Sequence, residues 1–225
     1  FGASKRVVFF DTLLSKLSPG EVEAVLAHEL GHFKHRHVIK RVYNMLFPCT
    51  ALRTFATRDP ENPERIRSIP IFAVSIALER EGELVAGLIY NPVGQETFAA
   101  ERGKGAYLNE RRRLRVAART ELSASVIGTG IPHSGRPGHE LFLKELPVLM
   151  DTAAGVRRFG AASLDLAWTA AGRLDGFWER NLRAWDVAAG IIILREAGGF
   201  VTDADGKDKM LEMGSIVAGN EAIHR

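Results

Sequence analysis

Two sets of residues in this chain have the types and spacing to do chemistry. The first is His28-Glu29-Leu30-Gly31-His32, an H-E-x-x-H run. Residues four apart lie on one face of a helix, so both imidazoles can reach a single Zn²⁺. Glu29 then stands beside the metal as a general base for its bound water. His35 shares that face but lies about 10 Å up the axis from His28, too far for one straight helix to wrap a tetrahedral site with all three. The other reading is a His-rich helical surface with weak transition-metal affinity. The second set is Asp186, two residues past Ala184 at a predicted helix start, with Glu179 upstream at a predicted strand end. A carboxylate in a first helical turn is favoured by the helix dipole and is also a hard oxygen ligand suited to Mg²⁺. Composition alone leaves both roles open for Asp186, and leaves Glu179 either a binding group or an exposed strand end.

The elements that must position these groups fall into three stretches. Val7–Phe10 is predicted as a strand. Ser18-Pro19-Gly20-Glu21 then starts a helix, with Ser18 as N-cap and Glu21 completing a capping box. Val22, Val25, Leu26 and Leu30 follow at helical spacing, and the helix is predicted to reach about Leu46. Residues 47–68 carry Pro48, Pro60 and Pro63 and no period, so they read as an irregular linker. From Ile69 the pattern is α/β. Phe72–Leu78 and Leu84–Tyr90 flank Glu81-Gly82 as a hairpin. Strands are predicted at Phe98–Ala100, Ala106–Val116 (turning near Asn109), Val126–Thr129, Gly176–Arg180 and Ser215–Gly219. Helices are predicted from Pro137 to Leu149, Ser163 to Ala171, and Ala184 to Ala197, the last closed by Gly198-Gly199.

Bulk properties exclude several classes. The chain has 225 residues, 46% hydrophobic and 25% charged, which suits one sizeable domain or two small ones. A net charge of +3 is too weak to predict nucleic-acid binding, and Arg111, Arg112, Arg113 and Arg115 read as a solvated turn. One cysteine, Cys49, permits no internal disulfide and fits a reducing cytoplasm. No apolar run approaches the roughly 18 residues of a membrane span, and Phe1–Arg6 lacks a signal-peptide layout. A start at Phe1 rather than Met leads one to expect a fragment or processed product.

Beyond these patterns, two resemblances can be stated on particular residues. Ser4–Leu14 and Leu17–His32 resemble the membrane zinc peptidases that cleave prenylated CAAX proteins, a likeness covering about residues 1–42. It implies His28 and His32 as zinc ligands and Glu29 as base. That family takes a third ligand, a Glu, from a later helix that this chain does not show, and its several membrane helices are absent. Separately, Trp185-Asp186-Val187-Ala188-Ala189-Gly190 with Glu196-Ala197-Gly198-Gly199 matches the second signature of the inositol monophosphatases. Ile69–Leu78, Gly103-Lys104-Gly105-Ala106, Arg158–Asp165 and Val217-Ala218-Gly219-Asn220 match the same family around it.

This second resemblance implies Asp186 as a metal ligand touching substrate and Glu179 as the acceptor for inositol hydroxyls. It also implies Gly160, Ala161 and Ala162 as the border of the sugar ring. Where the family's first signature, Asp-Pro-x-Asp-Gly-Thr, should precede Ile69, the chain has Asp59-Pro60-Glu61-Asn62-Pro63-Glu64-Arg65. The expected fold is therefore α/β: a layered α/β/α sandwich of inositol-monophosphatase type, truncated at its N-terminus, with an added zincin-type helix. Expected boundaries are 1–46 for the peptidase-like fragment, 47–68 for the junction and 69–225 for the phosphatase-like domain. The expected activity is Mg²⁺-dependent hydrolysis of inositol or related sugar phosphates, impaired by the missing signature. Zn²⁺-dependent proteolysis through His28, Glu29 and His32, or an inactive fusion of two gene fragments, are the alternatives. The expected partners are a small phosphorylated polyol and a second copy of the chain, with neither nucleic acid nor membrane, in the cytoplasm.

Overall fold

The computed structural model describes residues 5–8, 57–59, 62–67, 71, 73–132 and 137–225. The chain divides into two compact units, residues 1–10 with 71–225, and residues 11–70. In the second unit, β2 (Thr57–Asp59) pairs antiparallel with β3 (Asn62–Arg67). Sequence reading made this stretch irregular because of Pro60 and Pro63. A two-stranded ribbon has only edge strands, where a missing N–H is tolerated.

The first unit is built on two sheets. One has six antiparallel strands in the order β1–β4–β5–β6–β7–β8: β1 (Lys5–Val8), β4 (Val74–Arg80), β5 (Glu83–Asn91), β6 (Glu96–Glu101), β7 (Gly105–Leu108) and β8 (Arg112–Arg113). The predicted β4–β5 hairpin is present. Its turn residues Glu81 and Gly82 both have positive φ, 55° and 81°, the geometry that matches the strand twist in a two-residue connection. The turn predicted near Asn109 is present at Asn109-Glu110, also left-handed, and the strand after it is the short β8 rather than one reaching Val116. Asn109 fixes that turn by accepting a hydrogen bond from the Thr97 N–H at 2.7 Å.

The other sheet is mixed, in the order β10–β9–β11–β13–β12. Here β9 is Val126–Thr129, β10 Gly155–Arg157, β11 Gly176–Glu179, β12 Phe200–Thr202 and β13 Ile216–Gly219. Strands β10 and β11 run parallel to β9, while β13 is antiparallel to β11 and to β12. Asp175, just before β11, accepts the Val126 N–H at 2.8 Å and pairs with Arg119 at 2.9 Å, which sets the β9–β11 register.

Among the described residues the main helices are α1 (His139–Thr152), α2 (Ala162–Ala170) and α3 (Ala184–Glu196). Short helices α4 (Met210–Met213) and α5 (Glu221–His224) flank β13. Every residue of α3 from Val187 to Leu194 is buried. A helix apolar on all sides must be enclosed on all sides. Accordingly α3 packs on β4, β5 and β6, and α2 packs on α3 and on β9, β11 and β13. The five-stranded sheet is covered on its far face by α1, where Phe142 meets Ile127 and Trp178. The layers thus run sheet, helix pair, sheet, helix, a mixed α/β fold as expected. Helix α1 begins at His139 behind Gly138 (φ 101°) rather than at Pro137, and continues past Pro147 to Thr152. Pro147 itself is exposed, on the solvent side of the helix.

Candidate active site

Alternation along β11 decides which way its end points. Trp178 faces α1, so Phe177 and Glu179 face the α2–α3 layer. Glu179 ends β11 beside Gly130, where the chain leaves β9. A Cβ at Gly130 would lie 1.9 Å from the Glu179 carboxyl carbon, so the glycine is what makes room for that carboxylate. Gly160 precedes α2 in the left-handed region, φ 92°, and Ala161 and Ala162 form the helix start. Phe159 holds this segment down by an edge-to-face contact with Trp168, ring centroids 5.0 Å apart.

In the first turn of α3, Asp186 accepts the Arg183 N–H at 2.9 Å. One of its roles left open by sequence, the helix N-terminal charge, is therefore present: the carboxylate satisfies a donor that the helix cannot. Asp186 follows Glu179 across the loop Arg180–Arg183, which is anchored by Leu182 N–H to the Gly214 carbonyl at 2.8 Å.

Sequence reasoning missed Asp165. It sits in the first turn of α2, 1% exposed, with neither carboxyl oxygen hydrogen-bonded. Burial first, and then the nearby Glu179 charge, push its pKa up to about 8, against a smaller pull from the Ala161 backbone and Arg158. The sequence signal was there: an acidic residue between Leu164 and Leu166 in an otherwise apolar helix. The structure thus brings Ala161, Asp165 and Glu179 together, with Gly160 and Ala162 adjoining in the chain. Asp186 is tied to them through its loop.

Other quoted segments turn out to be structural. Glu196 accepts the N–H groups of Gly103 and Gly105 at 2.8 and 2.7 Å, so the Gly103-Lys104-Gly105 turn is clamped to the end of α3. Arg111, Arg112, Arg113 and Arg115 are all exposed, as read from sequence. His28, Glu29 and His32 lie outside the described residues. Among the described residues, no group of three or more His, Cys, Asp or Glu side chains is placed to hold a metal ion, and no helix is long and apolar enough to cross a membrane.

This arrangement can be set beside known proteins. Residues 64–225 match the sequence profile of the inositol monophosphatase family. The chain belongs to that family. Residues 1–82 match peptidase family M48, in agreement with the peptidase resemblance of the first 42 residues. Over 160 residues the chain is 59% identical to an inositol-1-monophosphatase of Mesorhizobium japonicum, covering 71% of this chain and 60% of that protein. It is 49% identical over 157 residues to the Nus factor SuhB of Pseudomonas aeruginosa, covering 69% and 58%. Among solved structures, the extragenic suppressor protein suhB from Bartonella henselae superposes with a TM-score of 0.67 at 57% identity, covering 69% of this chain and 59% of that one. An inositol monophosphatase from Anabaena gives 0.62 at 42% identity, covering 69% and 61%. The chain spans about three-fifths of the length of these relatives. Within this fold Glu179 ends β11, Asp186 lies in the first turn of α3, and Gly160 and Ala161 lead into α2.

Proposed function

We propose that residues 69–225 form a phosphomonoesterase domain for inositol or a related sugar phosphate, working with Mg²⁺. The supporting observation is Glu179 at the end of β11, over Gly130, with its charge acting on Asp165 in the first turn of the helix that follows Gly160 and Ala161. In this reading Glu179 accepts hydrogen bonds from polyol hydroxyls, and Gly160, Ala161 and Ala162 border the sugar ring. Asp186 is the carboxylate offered to Mg²⁺. A site for several hard cations needs a cluster of carboxylates, and among the described residues no group of three or more His, Cys, Asp or Glu side chains is placed to hold one. The described donor set does not fit such a site, so turnover is expected to be impaired. The naming of the Mesorhizobium relative as an inositol-1-monophosphatase supports this substrate class.

The test is phosphate release from inositol 1-phosphate with Mg²⁺, for the chain and its Asp186→Asn variant together. The expected result is slow release by the parent and none above background in the variant. Robust turnover surviving in Asp186→Asn would show the site assignment to be wrong.

The match of residues 1–82 to peptidase family M48 supports a second reading, zinc-dependent cleavage through His28, Glu29 and His32. Two imidazoles leave a catalytic zinc one protein ligand short of the usual three. No peptidase activity is expected, and chelator-sensitive cleavage of a prenylated peptide would overturn that expectation.

A further inference from the structure

Buried polar groups in native proteins are almost always hydrogen-bonded, so an orphan calls for a reason. Asp165 is such an orphan: fully enclosed in the first turn of α2, with both carboxyl oxygens lacking a partner. Its surroundings are specific. A Cβ placed on Gly128 would come 3.7 Å from Asp165 Oδ1, and one on Gly130 would come 1.9 Å from the Glu179 carboxyl carbon. These glycines are two residues apart, so they open toward one side of the sheet, roughly 6–7 Å from one another along the chain. The two carboxyl groups therefore lie over one glycine floor, Asp165 supplied by α2 and Glu179 by β11.

Neither glycine can be replaced without displacing a side chain that lies over it. At Gly128 a Cβ would also meet Leu174 at 2.9 Å and Phe177 at 3.2 Å. The Ala161 backbone and Arg158 are the other polar groups acting on Asp165. Asp165 is thus enclosed between the segment that starts α2 and the carboxylate at the end of β11. The Glu179 charge acts on Asp165, so the two carboxylates repel when both are ionised, whereas a protonated Asp165 can donate to Glu179.

We propose that Asp165 is the positioning residue for Glu179, acting as a hydrogen-bond donor that holds the Glu179 carboxylate toward a polyol bound beside Gly160–Ala162. This rests on the reading of Glu179 as the polyol-binding carboxylate. Asp165 itself does not touch the substrate. In this structure the donated bond is not made, both Asp165 oxygens lacking a partner; it forms when a bound polyol draws Glu179 toward Asp165.

The test uses the full chain in four forms: parent, Asp165→Asn, Asp165→Ala and Glu179→Gln. The first readout needs no ligand. In a ¹³C-carboxyl NMR titration the Glu179 signal of the parent should show two inflections, its own and that of Asp165, and only its own in Asp165→Asn. The second readout is calorimetric binding of inositol 1-phosphate against inorganic phosphate, with Mg²⁺ present. The parent should prefer the inositol ester. Asp165→Ala and Glu179→Gln should each weaken that preference on the order of 10-fold, with inorganic phosphate unaffected. Asp165→Asn, isosteric and still a donor, should keep the preference within about 3-fold on the same scale, a rescue that a purely structural role does not predict. If Asp165→Ala does not fold, Asp165→Asn carries the test through the NMR titration. An unchanged Glu179 titration in the Asn variant would overturn the proposal and leave the phosphatase reading standing. A parent that shows coupled titration but no preference for the inositol ester would overturn the phosphatase reading, and the proposed role with it.

Discussion

Asp165→Asn will flatten the dependence of stability on pH, and above neutrality it will make the protein more stable than the parent. In the folded protein the Asp165 carboxyl titrates at about 8 instead of the ordinary 3.8, because burial and then the Glu179 charge disfavour its ionised form. Below pH 4 both the folded and unfolded chains hold the proton, and the group contributes no pH dependence. Between pH 4 and 8 the folded chain keeps the proton that the unfolded chain has released. Stability then falls as pH rises, by up to about 1.4 kcal/mol per unit. Above about pH 8 the folded group ionises too, and the loss levels off. Over the whole window the loss is on the order of 5 kcal/mol as a ceiling, comparable with the net stability of a small domain. The groups acting on this carboxyl are Glu179 from β11 and Arg158 and the Ala161 backbone from the segment entering α2. An amide at position 165 has no such titration. Urea unfolding of parent and variant at pH 5 and pH 8 should therefore show a stability difference that moves by several kcal/mol in the variant's favour. Parallel pH profiles would mean that the Asp165 carboxyl is ionised throughout or well solvated.

That group also shows where sequence reading runs out. Glu81-Gly82 could be read as a turn because few residue pairs accept two positive φ values, and the structure has both. Val126–Thr129 and Ala184–Glu196 were readable from their apolar runs and from the Gly198-Gly199 stop. By contrast, β10 and β12 are three-residue edge strands, too short to show a period, and their pairing comes from β9 and β13. The hairpin at Thr57–Arg67 was hidden by prolines that an edge strand tolerates. At the candidate site, Glu179 and Asp186 were singled out through a family signature, because a single carboxylate at an element end carries little information alone. Asp165 needed the third dimension. Its significance lies in which strand glycines it covers and in having no partner there, and neither follows from an Asp between two leucines.

Gly87→Ala will cost more stability than any comparable one-methyl change in the core, about 3 kcal/mol or more, because it lifts α3 off its sheet. The strand register aligns Ala77, Gly87, Ala100 and Ala106 in one row across β4, β5, β6 and β7. This row of small side chains is the bed on which α3 lies. At Gly87 an added Cβ would meet Ile192 Cγ2 at 2.5 Å, the Ala189 carbonyl oxygen at 2.8 Å and Ala189 Cα at 3.0 Å. Ile192 can turn aside, but the Ala189 backbone belongs to a helix buried from Val187 to Leu194 between two layers and can move only as a body. Gly190→Ala makes the comparison. Its Cβ would meet Leu166 Cβ at 2.6 Å on α2, again too close, yet the change restores up to about 1 kcal/mol of helix propensity. Its net cost should be smaller, about 1–2 kcal/mol. For a unit of this size each kcal/mol lowers Tm by roughly 2–4 °C, so Gly87→Ala should melt about 6–12 °C below the parent. The two changes push α3 from opposite sides, toward the sheet and away from it, so the double variant should be worse than the sum of the singles. Thermal melts of the three variants decide it. A Gly87→Ala protein that melts within about 2 °C of the parent would mean that α3 is not seated on that row.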